Sequence, residues 1–269
     1  MKIALCIAYD GTLFHGSAYQ LNLRTVESEM KNCLIAMGAF ADETTASLKM
    51  ASRTDRGVSA AGNVCAFTTD MNLESLLSGL VHTLQGIWVI GMTIVKDGFN
   101  PRHTHDKTYQ YFVPEKGLNI KAMRRAANVF VGQHDVSSFA RVDHRNPLRT
   151  IISASVDDDD DDVTTITFVG PSFLWYQIRR MVAAVIMVGQ EKASPLDIKQ
   201  VLEKKKPSPW CTASPEYLLL TSISYNPTIR FHPLPTAVPF LALRNREIAA
   251  RFCLFSRMYD KIQEIQRNK

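Results

Sequence analysis

Short runs of β-branched and aromatic residues alternate along this chain with segments whose apolar residues recur every three or four positions, and this order occurs twice. The runs predict strands, because such side chains fit a pleated and half-buried surface, at residues 2–9, 48–51, 63–68, 87–95, 108–113, 151–156, 163–169 and 217–225. The other segments predict helices at residues 26–37, 72–84, 118–131, 173–188 and from 195 onwards. Several strands adjoin as hairpins, which favours an α+β fold with a mainly antiparallel sheet.

Composition and missing motifs exclude several classes of protein. Hydrophobic residues make up 46% of the 269 residues and charged residues 21%, so the chain can bury a core and is neither disordered nor a coiled coil. No apolar stretch is long enough to span a bilayer, and the first residues do not have the pattern of a signal peptide, which predicts a soluble cytoplasmic protein without membrane contact. Because glycine-rich phosphate-binding motifs and zinc-ligand spacings are missing from the sequence, we expect neither a nucleotide cofactor nor a metal.

Charge is distributed unevenly along the chain. The formal net charge of +5 comes from 31 basic and 26 acidic residues, and six of the acids form one block at residues 157–162. Without that block, 31 basic residues stand against 20 acidic ones, a net charge of +11. A basic body suggests a polyanionic partner, although charge alone does not separate nucleic acid from membrane or from solubility. We expect the block to form an exposed hairpin tip that points away from a nucleic acid, and residues 244–269 to form a basic amphipathic helix.

An unusual polar segment lies between two predicted strands at residues 53–58, with the sequence Arg-Thr-Asp-Arg-Gly-Val. One interpretation is a solvated loop whose surface ion pairs contribute little to stability. The other is that Arg53 and Arg56 keep Asp55 ionised, which would suit a nucleophile or an electrostatic stabiliser. Composition by itself leaves both interpretations open.

Six collinear motifs give this segment a family context. They are residues 9–16 (YDGTLFHG), 51–60 (ASRTDRGVSA), 99–111 (FNPRHTHDKTYQY), 132–139 (GQHDVSSF), 173–182 (FLWYQIRRMV) and 187–189 (MVG). Together they resemble the motifs of the TruA-type tRNA pseudouridine synthases. The sequence departs from the family pattern at residues 17–20 and at Ser59, where the family has a histidine. Within the motifs we expect Phe139 and Trp175 to be core aromatic residues rather than stacking surfaces for RNA.

The resemblance implies an isomerase whose partner is tRNA and which uses no cofactor. Its substrate would be a uridine at positions 38–40, on the 3′ side of the anticodon stem-loop. Asp55 matches the catalytic aspartate of the family, and Arg179 matches the arginine that pairs with it. Tyr109 matches the tyrosine that removes the C5 proton, and Arg53 matches the arginine that fills the space left by the target base.

Two physical expectations accompany these roles. Because a buried charge without a partner is costly, Asp55 and Arg179 should lie close together. A phenol has a high pKa, so positive charge near Tyr109 would have to help it act as a base.

The same resemblance implies a fold of two RRM-like halves that form one mixed, mainly antiparallel sheet, with helices on one side and a basic cleft between the halves. Residues 1–104 would carry the Asp55 loop, residues 105–269 would carry Tyr109 and Arg179, and two copies would form a homodimer. Two alternatives stay open: an RNA-binding protein without catalysis, and a pseudouridine synthase that acts on another RNA.

Overall fold

The computed structural model describes residues 1–40, 47–158 and 163–233. The strands in these ranges are β1 (Lys2–Tyr9), β2 (Lys49–Met50), β3 (Ser59–Thr68), β4 (Ile87–Val95), β5 (Asp106–Val113), β6 (Gly132–Asp135), β7 (Leu148–Ile151), β8 (Ser153–Asp158), β9 (Thr164–Gly170), β10 (Leu218–Ser224) and β11 (His232–Pro233). The helices are α1 (Val26–Ala36), α2 (Leu73–Thr83), α3 (Ile120–Asn128), α4 (Gln177–Gly189) and α5 (Pro195–Leu202). None of these helices is long and apolar enough to cross a membrane.

One large sheet organises the described residues. Its strand order is β11-β4-β1-β3-β10-β5-β9-β8, and β2 pairs with β3 outside this path. Neighbours pair antiparallel except β3 and β10, where Ser59 lies opposite Leu219 and Ala60 opposite Leu220 in parallel register. The predicted α+β class with a mainly antiparallel sheet is therefore confirmed, and the β3–β10 pair joins the earlier strands to the later ones.

The helices pack on one face of this sheet. Side chains alternate along β1, so that Ile3 and Leu5 face one core cluster while Ala4 faces another. The cluster of Ile3 and Leu5 contains the buried residues of all five helices that the structure describes. On the opposite face, the described residues that cover small residues such as Ala4 include Tyr225 and partly buried Phe231.

Local capping signals place several helix ends correctly. Thr25 begins α1 with a capping box to Ser28, and Ser194 begins α5 with a capping box to Asp197. The predicted helix at 173–188 begins later than expected, at Gln177. The backbone of Trp175 forms a β-bridge with Arg141, which takes the residues before Gln177 out of a helical path.

A second, two-stranded sheet of β6 and β7 was not predicted from the sequence. Its first strand, Gly-Gln-His-Asp, has no apolar alternation, so its pairing depends on the strand opposite rather than on its own residues.

The acidic block begins where β8 ends. β8 and β9 pair antiparallel up to Asp158 opposite Thr164, so Asp157 and Asp158 belong to a strand and not to the predicted tip, while residues 159–162 lie outside the described residues. Thr164, opposite Asp158, also pairs with Val113 at the last position of β5. This end of the β8–β9 pair is therefore remote from Tyr109, which lies four positions earlier on β5. The predicted helix at 244–269 also lies outside the described residues.

Candidate active site

Asp55 lies in the loop between β2 and β3, and its carboxylate contacts the first turn of α4. Nη1 of Arg179 donates a hydrogen bond to Oδ2 of Asp55 over 3.0 Å, although the two residues are 124 positions apart. The side chains are only 13% exposed for Arg179 and 19% for Asp55. Nε of Arg179 also donates to the Ala213 carbonyl at 2.7 Å, which fixes the guanidinium. The expected proximity of Asp55 and Arg179 is therefore confirmed.

The arginines that flank Asp55 in sequence do not make this ion pair. Arg53 and Arg56 are both exposed, and among the described residues only Arg179 forms a salt bridge with Asp55. The loop turns at Arg56 and Gly57. The salt bridge to Asp55 therefore comes from Arg179, the partner that the resemblance implies, and not from the arginines beside it in sequence.

A buried polar network supports the loop from beneath. Asn63 Nδ2 donates to the Tyr9 hydroxyl at 3.1 Å and to the Ser52 carbonyl at 3.0 Å, and its Oδ1 accepts from the Ser52 amide at 3.2 Å. The hydroxyls of Tyr9 and Thr54 are 2.9 Å apart and hydrogen-bonded, and the Thr54 amide donates to Ser17 Oγ at 2.7 Å. All five residues are buried. Sequence analysis missed this network; its one signal was Asn63, a polar residue within an apolar strand.

Two glycines of the first motif allow the chain to approach this loop closely. A Cβ on Gly11 would lie 2.1 Å from the Val58 carbonyl oxygen, so no other residue fits there. Gly16 has a φ of +96°, which other residues rarely adopt, and lies against Thr54. The Gly11 amide donates to Ser59 Oγ at 3.0 Å, so the residue that departs from the family pattern still anchors the loop.

Replacing Asn63 should destabilise the fold. Asn63→Ala removes four hydrogen bonds and leaves buried groups of Ser52 and Tyr9 with fewer partners, so we expect the free energy of unfolding to fall by about 2 kcal/mol. Urea unfolding measures this change. Asn128→Ala, at an exposed position of α3, is the control and should stay within about 0.5 kcal/mol of wild type. Equal stability of both variants would show that the network does not hold the loop.

Tyr109 lies on β5 at the wall of the same site. Its hydroxyl is 2.8 Å from Ser52 Oγ and hydrogen-bonded to it, and its ring meets the Phe173 ring edge-on at 5.4 Å. Burial raises the pKa of Tyr109, the hydrogen bond with Ser52 lowers it, and the negative charge of Asp55 raises it further. The phenol is therefore protonated at neutral pH, and the positive charge expected to assist it is not among these causes.

These residues line a cleft of about 780 Å³, a volume typical of a ligand site. Six lining residues are basic and two are acidic: Arg53, Arg56, Arg102, Lys107, Arg145 and Arg179 against Asp55 and Asp143. The cleft therefore carries a positive formal charge and suits a polyanion. The sequence-predicted residues Asp55, Tyr109, Arg179 and Arg53 all lie in it.

Phe139 and Trp175 were both predicted to be core aromatic residues; this is confirmed for Phe139 and wrong for Trp175. Phe139 is fully buried and stacks on Trp210. Trp175 is 38% exposed and lies at the cleft, with the Arg141 guanidinium 4.4 Å from its ring centre and the Tyr176 ring stacked at 4.9 Å. Sequence periodicity assigned Trp175 to a helix, and the loop that replaces that helical turn exposes it.

Comparisons with known proteins identify the class to which this fold and site belong. A family model described as tRNA pseudouridine synthase matches residues 126–226. The protein called tRNA pseudouridine synthase A from Thermococcus sibiricus is 38% identical over 227 residues, 84% of this chain and 85% of that one. Its namesakes from Pyrococcus furiosus and Pyrococcus abyssi are 38% and 40% identical over 230 residues, with 84% of this chain covered in both cases and 84% and 85% of theirs.

This chain belongs to the tRNA pseudouridine synthase A family. The resemblance drawn from the six motifs is thus confirmed over most of the chain. Among solved structures, one of a Cbf5-Nop10-Gar1 complex matches 69% of this chain and 45% of that one with a TM-score of 0.35 and 9% identity, which is too slight to bear on fold or function.

Proposed function

We propose that this protein isomerises uridine to pseudouridine in tRNA, at positions 38–40 of the anticodon stem-loop. The observation that carries the proposal is the Asp55–Arg179 ion pair at a basic cleft, in a chain whose relatives are named tRNA pseudouridine synthase A. Asp55, Tyr109 and Arg179 are the proposed catalytic residues, and Arg53 is the proposed substrate-binding residue beside them.

The reaction breaks the N1–C1′ bond of uridine, turns the base and forms a C5–C1′ bond. C5 loses its proton and N1 takes one up, so the product is an isomer of the substrate. It involves no net oxidation or reduction. Asp55 acts on C1′, on C6, or by assisting elimination to a glycal. Arg179 holds Oδ2 of Asp55, and no described residue donates to Oδ1, which leaves that oxygen for the substrate. The arginine thus orients the nucleophile and keeps the charge stabilised in a site of low exposure.

Tyr109 removes the C5 proton after the base has turned. Because its phenol is protonated at rest, the oxygen accepts this proton as its own passes to the hydrogen-bonded Ser52 hydroxyl, which releases its proton to solvent in the cleft. The Tyr109 ring also packs beside Phe173, so the hydroxyl is held at the wall of the cleft.

The substitution Tyr109→Phe tests this step. We expect turnover to fall about a hundredfold, with accumulation of RNA in which the N1–C1′ bond is already broken, because only the proton transfer loses its base. Single-turnover reactions followed by nucleoside chromatography measure both species. Tyr111→Phe is the control, because Tyr111 is buried two positions along the same strand and does not line the cleft. Unchanged turnover in Tyr109→Phe would leave Tyr109 with a structural role only.

Arg53 is suited to the space that a flipped base leaves. It is exposed at the cleft, and a planar guanidinium can stack on bases and bind phosphate together. We also propose, as parts of the same assignment, that the protein is a cytoplasmic homodimer and that its two RRM-like halves meet at residues 104 and 105. Light scattering of the purified protein should give twice the mass of a single chain.

Mapping of pseudouridine in bulk tRNA incubated with the purified protein tests the proposed function. New pseudouridine at positions 38–40 is the expected result. Pseudouridine elsewhere in tRNA, or in another RNA only, would overturn the position or the substrate. Tight tRNA binding without any pseudouridine would support the alternative of a non-catalytic RNA-binding protein.

A further inference from the structure

We propose that Arg102 and Lys107 form a phosphate subsite in the cleft, which binds one backbone phosphate of the RNA next to the target nucleotide. This inference deepens the proposed function and rests on it. Both residues line the cleft together with Asp55 and Tyr109.

The two cations are held in place by neighbouring backbone carbonyls. Lys107 Nζ donates to the Ala51 carbonyl at 2.9 Å, and Arg102 Nε donates to the Met50 carbonyl at 3.4 Å. Met50 ends β2, so both contacts lie where the Asp55 loop begins. Carbonyl groups fix the positions of the cations but do not neutralise them.

Neither cation has an anionic partner within the part of the chain that the structure describes. Among the described residues, no carboxylate forms a salt bridge with Arg102 or Lys107. Burial lowers the pKa of Lys107 to about 8, and the nearby charge of Arg102 contributes to this shift, which agrees with two like charges left uncompensated. An anion between them would stabilise both.

The other basic residues of the cleft differ from this pair. Arg179 pairs with Asp55, and Arg145 pairs with Asp143 at 3.2 Å. Arg53 and Arg56 are exposed, as Arg102 is, but unlike Arg102 they have no side-chain hydrogen bond to a described residue. Arg102 and Lys107 are thus fixed in position without being neutralised, and a fixed cation loses little conformational entropy when it binds an anion.

The N–H groups of Arg102 and Lys107 that have no described partner, and the spacing of Lys107 from Tyr109, favour a phosphodiester as the ligand. Arg102 keeps both terminal nitrogens and Lys107 keeps two N–H groups without a described partner, enough for the oxygens of one phosphate. Lys107 lies two positions before Tyr109 on β5, so both side chains leave the same face about 7 Å apart. A base at Tyr109 and a phosphate at Lys107 can therefore belong to one nucleotide or to adjacent ones.

The charge of the subsite can be tested separately from its structural contacts. Lys107→Gln and Arg102→Gln keep an N–H donor for the carbonyls but remove the charge. We expect each to weaken tRNA binding about tenfold and to make the plot of log affinity against log salt concentration shallower by up to about 0.9. In the double variant the slope should become shallower by no more than about 0.9 in total, because the two residues share one phosphate. Lys121→Gln, on the exposed side of α3 and outside the cleft, should bind as wild type does.

Replacing one RNA phosphate at a time by an uncharged linkage identifies the phosphate that the subsite binds. The probes are stem-loop RNAs that each carry a single methylphosphonate at a different position. At one position, adjacent to the target uridine, the methylphosphonate should weaken RNA binding by the wild type but not by Lys107→Gln. Normal affinity and a normal salt slope in both variants would overturn the subsite. Lower turnover with an unchanged slope would also overturn it, because Lys107 would then only support the loop. Absence of pseudouridine with the wild type would instead refute the proposed function, while the binding results would still judge the subsite.

Discussion

Asp55→Asn should lower the rate of pseudouridine formation by about ten-thousandfold, a loss of about 5 kcal/mol of transition-state stabilisation. The amide is nearly the same shape as the carboxylate but is a far weaker nucleophile and carries no negative charge. Affinity for tRNA should stay within a few-fold of wild type, because we expect binding to rest mainly on phosphate contacts of the basic cleft. Single-turnover rates and equilibrium binding, measured on the same preparation, separate these two effects.

The matched control is Asp143→Asn. Asp143 is the other acid that lines the cleft, but it is 43% exposed and pairs with Arg141 and Arg145. Its loss should change the rate by no more than a few-fold. A normal rate in Asp55→Asn, or equal losses in the two variants, would remove Asp55 from the chemistry.

Arg179→Met should lower the rate about a thousandfold and the free energy of unfolding by about 2–3 kcal/mol. The substitution leaves the poorly exposed Asp55 carboxylate without its ion-pair partner and the Ala213 carbonyl without its donor. Loss of one partner of a fully buried ion pair costs more, about 3–5 kcal/mol, and the residual exposure of this pair reduces that figure. Urea unfolding and single-turnover kinetics measure the two quantities.

A double variant separates the ion pair from other effects of the substitution. In an Asp55→Asn background, Arg179→Met should destabilise the fold less, because the charge that it would strand is already gone. Arg180→Met is the neighbouring control on α4; its guanidinium contacts the Tyr176 ring but no carboxylate of the described residues, so its effect should be small. Additive losses in the double variant would show that Arg179 and Asp55 act independently.

Local patterns in the sequence were enough for most elements of the fold. The strand predicted at 87–95 is β4 (Ile87–Val95) without change, because its side-chain period of two is a property of the strand itself. The helices predicted to start at residues 26 and 195 begin at Val26 and Pro195, because the caps at Thr25 and Ser194 satisfy amides only three residues away. The motifs likewise identified Asp55 and Arg179 as a pair before their contact was known.

Other features depended on which segments become neighbours in space. The start of α4 is set by the bridge between Trp175 and Arg141, residues more than thirty positions apart, and that bridge also exposes Trp175. Asn63 lies beneath the Asp55 loop only because β3 pairs with β1 and brings it to Tyr9.

The sequence by itself determined the strands and helices, the family and the residue types of the site. The tertiary structure decided that Trp175 is exposed at the cleft, and that Lys107 is held there without an anionic partner among the described residues. The physical reason is range: periodicity and capping act over a few residues, whereas burial and charge pairing depend on the parallel contact of β3 with β10, which brings distant parts of the chain into one sheet.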